Sequence, residues 1–160
     1  MSAYTRTDHL ADDGMVRTVI TSYGAHHGQP PETTSPVISI DLRTALRNPA
    51  DDPALIEMTG LDQRVREHVL STPGAEEIVR DAAARILAAY RGAGGRRQDA
   101  QVYCMGGRHR SVAIAEAIAE RLRVFGHGTE VEHRDITKPV IRKATKAPAK
   151  AAAKHKNAGS

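Results

Sequence analysis

The chain has 160 residues with a formal net charge of +4, one cysteine, no Trp and one Phe, so its core must be built from aliphatic side chains. This length is enough for a single domain with a hydrophobic core. No apolar run approaches the roughly 20 residues of a transmembrane helix, no signal segment opens the chain, and one cysteine excludes an internal disulfide, so a cytoplasmic location is expected.

The charge is divided unevenly along the chain. Residues 138–160 contain seven basic residues and no acidic one, and every lysine of the protein lies there. The preceding 137 residues contain 16 arginines against 19 acidic residues. This change in composition predicts a flexible N-terminus at 1–14, a folded domain at 15–137 and a disordered basic tail at 138–160.

The spacing of apolar residues predicts four strands and three helices. Thr72 and Pro73, followed by two glutamates, indicate the start of the second helix, with the Thr72 hydroxyl as its cap and Pro73 in its first turn. In chain order, the predicted elements are a strand at 15–24, a strand at 37–43, a helix at 61–70, a helix at 72–90, a strand at 100–104, a helix at 110–124 and a strand at 129–136.

This order of elements predicts an α/β fold. The final strand–helix–strand segment favours parallel pairing of its two strands with a right-handed crossover. We therefore expect a small three-layer domain with a mostly parallel sheet of about four strands.

The stretch VYCMGGRHRS, which joins the third strand to the third helix, carries the clearest chemical signal. Ligands of parallel sheets bind beyond the carboxyl ends of the strands. Gly106 and Gly107 allow the backbone to approach a ligand, and the helix that follows offers free N–H groups to an anion. A phosphate-binding turn is therefore predicted, against the alternative of a glycine-rich turn with surface arginines. The side chains that would add donors are Arg108, His109, Arg110 and Ser111.

A catalytic alternative uses the same turn. Cys104, Arg110 and Ser111 have the spacing of a cysteine-dependent phosphatase loop, with Asp62 or Asp41 as the general acid. A free cysteine at a strand end is usually a small buried hydrophobe, however, so the residues favour binding over catalysis and leave enzymatic activity open.

Four motifs together resemble the C-terminal domain of the RapZ family of RNase adapter proteins. They are SYGAHHG, DLRTALRNP, MTGLDQRVREHVL and CMGGRHRSVAIAEAIAERL, in the family's order over about residues 16–135. The resemblance implies a binding domain linked to small-RNA binding and to the sensing of a phosphorylated amino sugar. It implies no cofactor.

The resemblance also assigns site residues by position. His27 would face the phosphate cradle, Arg43 would add positive charge, and Asp41 would hold an arginine or a backbone amide. The cradle itself would consist of Gly106, Gly107, His109, Arg110 and Ser111.

The sequence departs from the family pattern in several places. Met105 stands where the family usually has Thr, and His26 stands where Lys is usual. The segment LIEMTG lacks a basic residue that the family tends to place before TG. No G-x-x-x-x-G-K-[ST] run is present, so nucleotide binding by that route is not expected, and the ligand can differ from the family's.

The basic tail is a candidate RNA-binding segment, with the alternative of a solvated extension. Its contacts would be to phosphates and would weaken steeply with salt. His26 and His27 are adjacent and lack a third ligand nearby, so no metal site is predicted. The sequence thus predicts a stand-alone adapter domain that binds a phosphorylated small molecule and RNA or a protein partner, with self-association left open. The candidate RNA-binding residues are Lys143, Lys146, Lys150 and Lys154.

Overall fold

The computed structural model describes residues 13–34 and 36–141, which form one sheet and three helices. The predicted four strands and three helices are confirmed, with boundaries that differ by three residues or fewer. The strands are β1 (Thr18–Gly24), β2 (Val37–Asp41), β3 (Asp99–Cys104) and β4 (Thr129–His133); the helices are α1 (Gln63–Leu70), α2 (Ala75–Gly92) and α3 (Arg110–Val124).

The sheet has the strand order β2-β3-β1-β4, and every pairing is parallel. The predicted α/β fold with a mostly parallel sheet is therefore confirmed. The predicted pairing of the last two strands is wrong: β3 and β4 are parallel and joined through α3, but β1 lies between them and pairs with both. All four strands end at the same edge of the sheet, where the connections to α3 and to the C-terminal segment begin.

The direction of the chain connections explains how the layers form. The connection from β2 to β3 and the connection from β3 to β4 run in the same direction across the sheet. Right-handed crossovers therefore place all three helices on one face. β1 to β2 moves the opposite way and crosses the other face, where the Gln101 side chain donates to the Pro31 carbonyl at 2.8 Å. The third layer is thus an irregular segment around residues 28–34 rather than a helix.

The hydrophobic core lies between the helices and one face of the sheet. Because alternate strand residues face opposite ways, Ile20 and Val102 reach this core while Val19 and Gln101 face the other side. From α3, residues three or four apart, including Ile114 and Ile118, complete it. The described residues contain no helix with the length and apolarity needed to cross a membrane.

The predicted cap of α2 is wrong. The residue before the helix is Gly74, at φ 90°, and it has no capping side chain. The Thr72 hydroxyl instead donates to the carbonyl of His68, at the end of α1, at 3.1 Å. Thr72 therefore closes the preceding helix, and a left-handed glycine separates it from the next one.

Candidate anion-binding site

The turn between β3 and α3 is held by a close crossing of two backbones. Gly107 has φ +71°, and a Cβ there would lie 2.4 Å from the Gly24 nitrogen, at the end of β1. A Cβ on Gly24 would lie 2.4 Å from the Gly106 carbonyl carbon. Only residues without a side chain fit this crossing, which fixes the position of the turn at the edge of the sheet.

The carbonyl groups of the turn are engaged by neighbouring backbone. Met105 O accepts from the His26 amide at 3.0 Å, and Arg108 O accepts from the Gly60 amide at 2.9 Å. The carbonyl of His109 accepts from an amide inside α3, Ala113 N, at 3.0 Å. These bonds orient the peptide units, with their carbonyls tied to protein groups.

Most amide groups of the same turn have no acceptor among the described residues, Gly107 being the exception. Within residues 13–34 and 36–141, no hydrogen-bond acceptor is found for the backbone N–H of Gly106 or of residues 108–112. Residues 110–112 form the first turn of α3, so their N–H groups point back along the helix axis toward the turn. The result is a group of amide dipoles with positive ends directed at one place.

Cys104 lies behind this turn and is 3% exposed. Its Sγ accepts from the Gly107 amide at 3.3 Å and donates to Ser111 Oγ at 3.2 Å. The thiol also belongs to the hydrophobic core. It therefore acts in this structure as a small buried residue that ties the turn to α3.

Arg110 is buried and reaches across to the segment that follows β2. Its Nη1 donates to the carbonyls of Leu42 at 2.9 Å, Ala45 at 3.1 Å and Arg43 at 3.3 Å. The guanidinium group expected to grip a phosphate thus holds a stretch of irregular backbone, and any contact with a ligand stays a prediction.

Arg108 and His109 hold the same connection further along. Arg108 Nε donates to Met58 O at 3.0 Å, and its Nη2 bonds Glu57 O. His109 Nε2 lies 3.1 Å from Ile56 O, a contact in which the ring nitrogen donates. Burial lowers the pKa of His109, so the imidazole is neutral near pH 7 and supplies a hydrogen bond rather than a charge.

Arg43 is engaged at the surface and does not line the turn. Its guanidinium bonds both carboxylate oxygens of Asp41 and lies over the Tyr103 ring, 5.4 Å from the centroid. Hydrogen bonds from Arg43 lower the pKa of Asp41 to about 2. The expectation that Asp41 holds an arginine is confirmed. Sequence reasoning missed that Tyr103 stacks on Tyr23 at 5.0 Å beside this pair.

The two histidines after β1 differ in their surroundings. His26 is exposed, whereas His27 Nε2 is buried and has no hydrogen-bond partner within the described residues. A buried polar atom without a partner is uncommon and calls for a physical reason. In residues 13–34 and 36–141, no three His, Cys, Asp or Glu side chains are grouped to hold a metal ion.

A cavity of about 30 Å³ opens at the turn. Five of the predicted ligand-binding residues line it, and so does Cys104 of the catalytic alternative; Ser111, His27 and Arg43 are not among its lining. Asn48 and Ala50 were missed because the sequence NPADDP indicated only a chain break; Val140 and Ile141 were missed because they fall in the predicted tail. The predicted residues in the lining are Gly106, Gly107, Arg108, His109 and Arg110.

Comparison with known proteins gives a family. The sequence model of the RapZ C-terminal domain matches residues 16–137. A nucleotide-binding protein of Clavibacter michiganensis is 37% identical over 79% of this chain and 43% of its own length. A nucleotide-binding protein of Leifsonia xyli is 39% identical over 81% of this chain and 45% of its own length. One of Streptomyces coelicolor is 39% identical over 76% of this chain and 40% of its own length. The chain therefore spans less than half the length of these curated relatives.

Arg110→Ala is expected to lower the free energy of unfolding by about 2–3 kcal/mol, because carbonyls of residues 42–45 lose a charged donor. Urea denaturation measures the change. The matched control is Arg85→Ala, at an exposed position on α2, with an expected effect within about 0.5 kcal/mol. Equal stability of the two variants would show that Arg110 does not hold this connection.

Proposed function

The chain belongs to the family of RapZ C-terminal domains, and we propose on that basis that its turn 105–111 binds a phosphate-bearing small molecule, with a sugar phosphate as the leading candidate. The observation that supports this proposal is the set of amides at Gly106 and residues 108–112 that have no acceptor in the part of the chain that the structure describes. Such amides at a helix start attract negative oxygens through hydrogen bonds and through the helix dipole.

The basic side chains have an indirect role in this proposal. Arg108, His109 and Arg110 bond carbonyls of the segment 42–58, so they fix the wall of the site. The two guanidinium groups also raise the local potential, which favours an anion without a direct contact. The ligand contacts are assigned to the amides. His27 does not line the cavity, so a contact between its buried Nε2 and a ligand stays a prediction.

The relatives named nucleotide-binding proteins are more than twice the length of the matched segment. Their names support a phosphorylated ligand in general and do not decide between a nucleotide and a sugar phosphate for this chain. Because phosphate oxygens are common to both, we expect the turn to bind inorganic phosphate weakly and one phosphorylated organic ligand more tightly. A thermal-shift screen of phosphate, hexose phosphates and nucleotides identifies that ligand, since a binder at 100 times its Kd adds about 2.7 kcal/mol of stability.

Gly106→Val is expected to abolish this binding without unfolding the protein. A Cβ on Gly106 meets no atom within 4 Å, and the residue lines the cavity, so the larger side chain fills space that the ligand needs. Isothermal titration with inorganic phosphate and with the ligand found in the screen measures the loss. Gly92→Val, at the end of α2 and also free of contacts, is the matched control and should bind normally. Normal binding by the Gly106 variant would place the ligand elsewhere.

A cysteine-dependent phosphatase is the alternative, favoured by one observation. Cys104 Sγ accepts a hydrogen bond from the Gly107 amide and lies in hydrogen-bond contact with Ser111 Oγ, an arrangement that would also stabilise a thiolate. Against it, the thiol is 3% exposed and Arg110 Nη1 is directed at carbonyl groups.

For Cys104→Ser we expect phosphate affinity to stay within about twofold of the unmodified protein, since the thiol is not assigned to the ligand. Hydrolysis of p-nitrophenyl phosphate by the purified protein, lost in this variant, would replace the binding proposal with the phosphatase. The same assay with Arg85→Ala controls for contaminating activity.

The output of the domain is proposed to be an interaction with RNA or a protein partner through its basic tail, and a cytoplasmic location and self-association remain predictions. The candidate residues Lys143, Lys146, Lys150 and Lys154 lie outside the described residues, so their positive charge in the sequence is the support.

Deleting residues 142–160 removes six basic residues and is expected to weaken RNA binding. If all six contact single-stranded phosphates, the slope of log affinity against log salt should fall by about 4. Filter binding at several salt concentrations measures it. A variant carrying Gln in place of each of these six basic residues, Arg142 included, is the control for chain length. An unchanged affinity and slope would show that the tail does not contribute to RNA binding.

A further inference from the structure

The chain that leaves β4 is anchored directly beside the turn. Asp135 is fully buried, and its carboxylate accepts from the Gly24 amide at 2.7 Å and from Lys138 Nζ at 2.6 Å. Burial raises the pKa of Asp135, but hydrogen bonds from Arg134, Lys138 and Gly24 outweigh it and bring the pKa to about 2. The carboxylate is therefore ionised near neutral pH, and it fixes the start of the segment that follows.

From this anchor, residues 138–141, called the strap, continue beside the turn and line its cavity. The Lys138 carbonyl accepts from Arg108 Nη1 at 3.4 Å. Val140 and Ile141 are half-buried and line the same cavity as Gly106 and Gly107. Two apolar side chains thus share the cavity in which an anion would meet the amide groups.

The size of the covered space limits what can enter it. The cavity of about 30 Å³ compares with the ~10–15 Å³ that one water-sized probe occupies. A phosphoryl group carries several oxygens on one phosphorus and needs more room than that. Entry of such a group therefore requires part of the wall to move. Two parts of the wall lie outside the α-helices and strands. The connection 42–58 is bonded to Arg108, His109 and Arg110, whereas the strap has, among the described residues, one long hydrogen bond to the turn, at Lys138 O.

We propose that the strap is a built-in competitor for the anion site: it covers the turn when no phosphorylated ligand is bound, and the ligand displaces it. This inference rests on the proposed function of the same site. The anchor at Asp135 stays in place, and the movement begins after Lys138. Because coupling between two events is reciprocal, ligand binding also releases the point from which residues 142–160 continue, and holding those residues elsewhere strengthens ligand binding.

The test is a double variant, Val140→Ser with Ile141→Ser, in the full chain. Cys104 is the only cysteine of the protein and lines the covered cavity, so its reaction rate with the thiol reagent DTNB reports on the cover without any ligand. We expect this rate to rise several-fold in the double variant. The matched control is Val124→Ser with Phe125→Ser, which changes two apolar residues, 77% and 53% exposed, at the far end of α3 and should leave the rate unchanged.

The second readout is affinity for inorganic phosphate by isothermal titration. A site that is open in about one molecule in ten binds about tenfold more weakly than one that is always open, so the double variant should bind up to about tenfold more tightly. Cooperative urea unfolding confirms that both variants are folded, and Ile141→Ser alone should show the same two changes to a smaller extent if the double variant does not fold.

The outcomes separate the two proposals. A faster thiol reaction together with tighter phosphate binding supports the strap. Phosphate binding of equal strength in the double variant and its control contradicts the proposed role of the strap, whatever the thiol rate. It leaves the proposed function unaffected. If no variant binds phosphate or any phosphorylated ligand of the screen, both the proposed function and the proposed role of the strap are contradicted.

Discussion

The site depends on a place where two backbones cross with no side chain between them. Gly24 ends β1 and Gly107 lies in the turn after β3, and each occupies the space that a Cβ on the other would need. The Gly24 amide is in turn held by the buried carboxylate of Asp135. Because this crossing fixes the peptide planes of the turn, several of its carbonyls bond neighbouring backbone, while the amides of Gly106 and residues 108–112 have no acceptor within the described residues. The anion-binding character of the turn therefore follows from packing, before any basic side chain is considered.

Arginine and histidine side chains supply hydrogen-bond donors to backbone carbonyls that regular secondary structure would otherwise pair. The connection from β2 to α1 has only a short 3₁₀ turn at Pro49–Asp51, so many of its carbonyls have no helical or sheet partner. Arg108, His109 and Arg110 donate to these carbonyls from consecutive positions at the start of α3. A guanidinium group suits this role because its donors are fixed in a plane and remain charged when buried. The same three residues thus join the segment 42–58 to the turn before α3.

Local patterns predicted the parts of this fold that depend on local sequence. α3 begins at Arg110 and ends at Val124 as predicted, because its apolar spacing and the preceding glycines are strong signals. The direction of the Arg110 side chain was not predictable in this way, since its acceptors lie 65 to 68 residues away along the chain. The contribution of Ile141 to the cavity was hidden for a similar reason: the lysine-rich composition around it indicated a tail, and only the position of Asp135 brings it back to the turn.

The stacked tyrosines at the carboxyl edge of the sheet give the protein an optical property. Tyr23 and Tyr103 stack at 5.0 Å, flanked by the guanidinium groups of Arg134 and Arg43. The chain has four tyrosines and no tryptophan, so its near-ultraviolet circular dichroism and fluorescence come almost entirely from tyrosine, with this coupled pair as a large share. Because Tyr23 immediately precedes Gly24, this pair is a chromophore placed beside the turn, and it makes spectroscopy without any attached dye sensitive to events there.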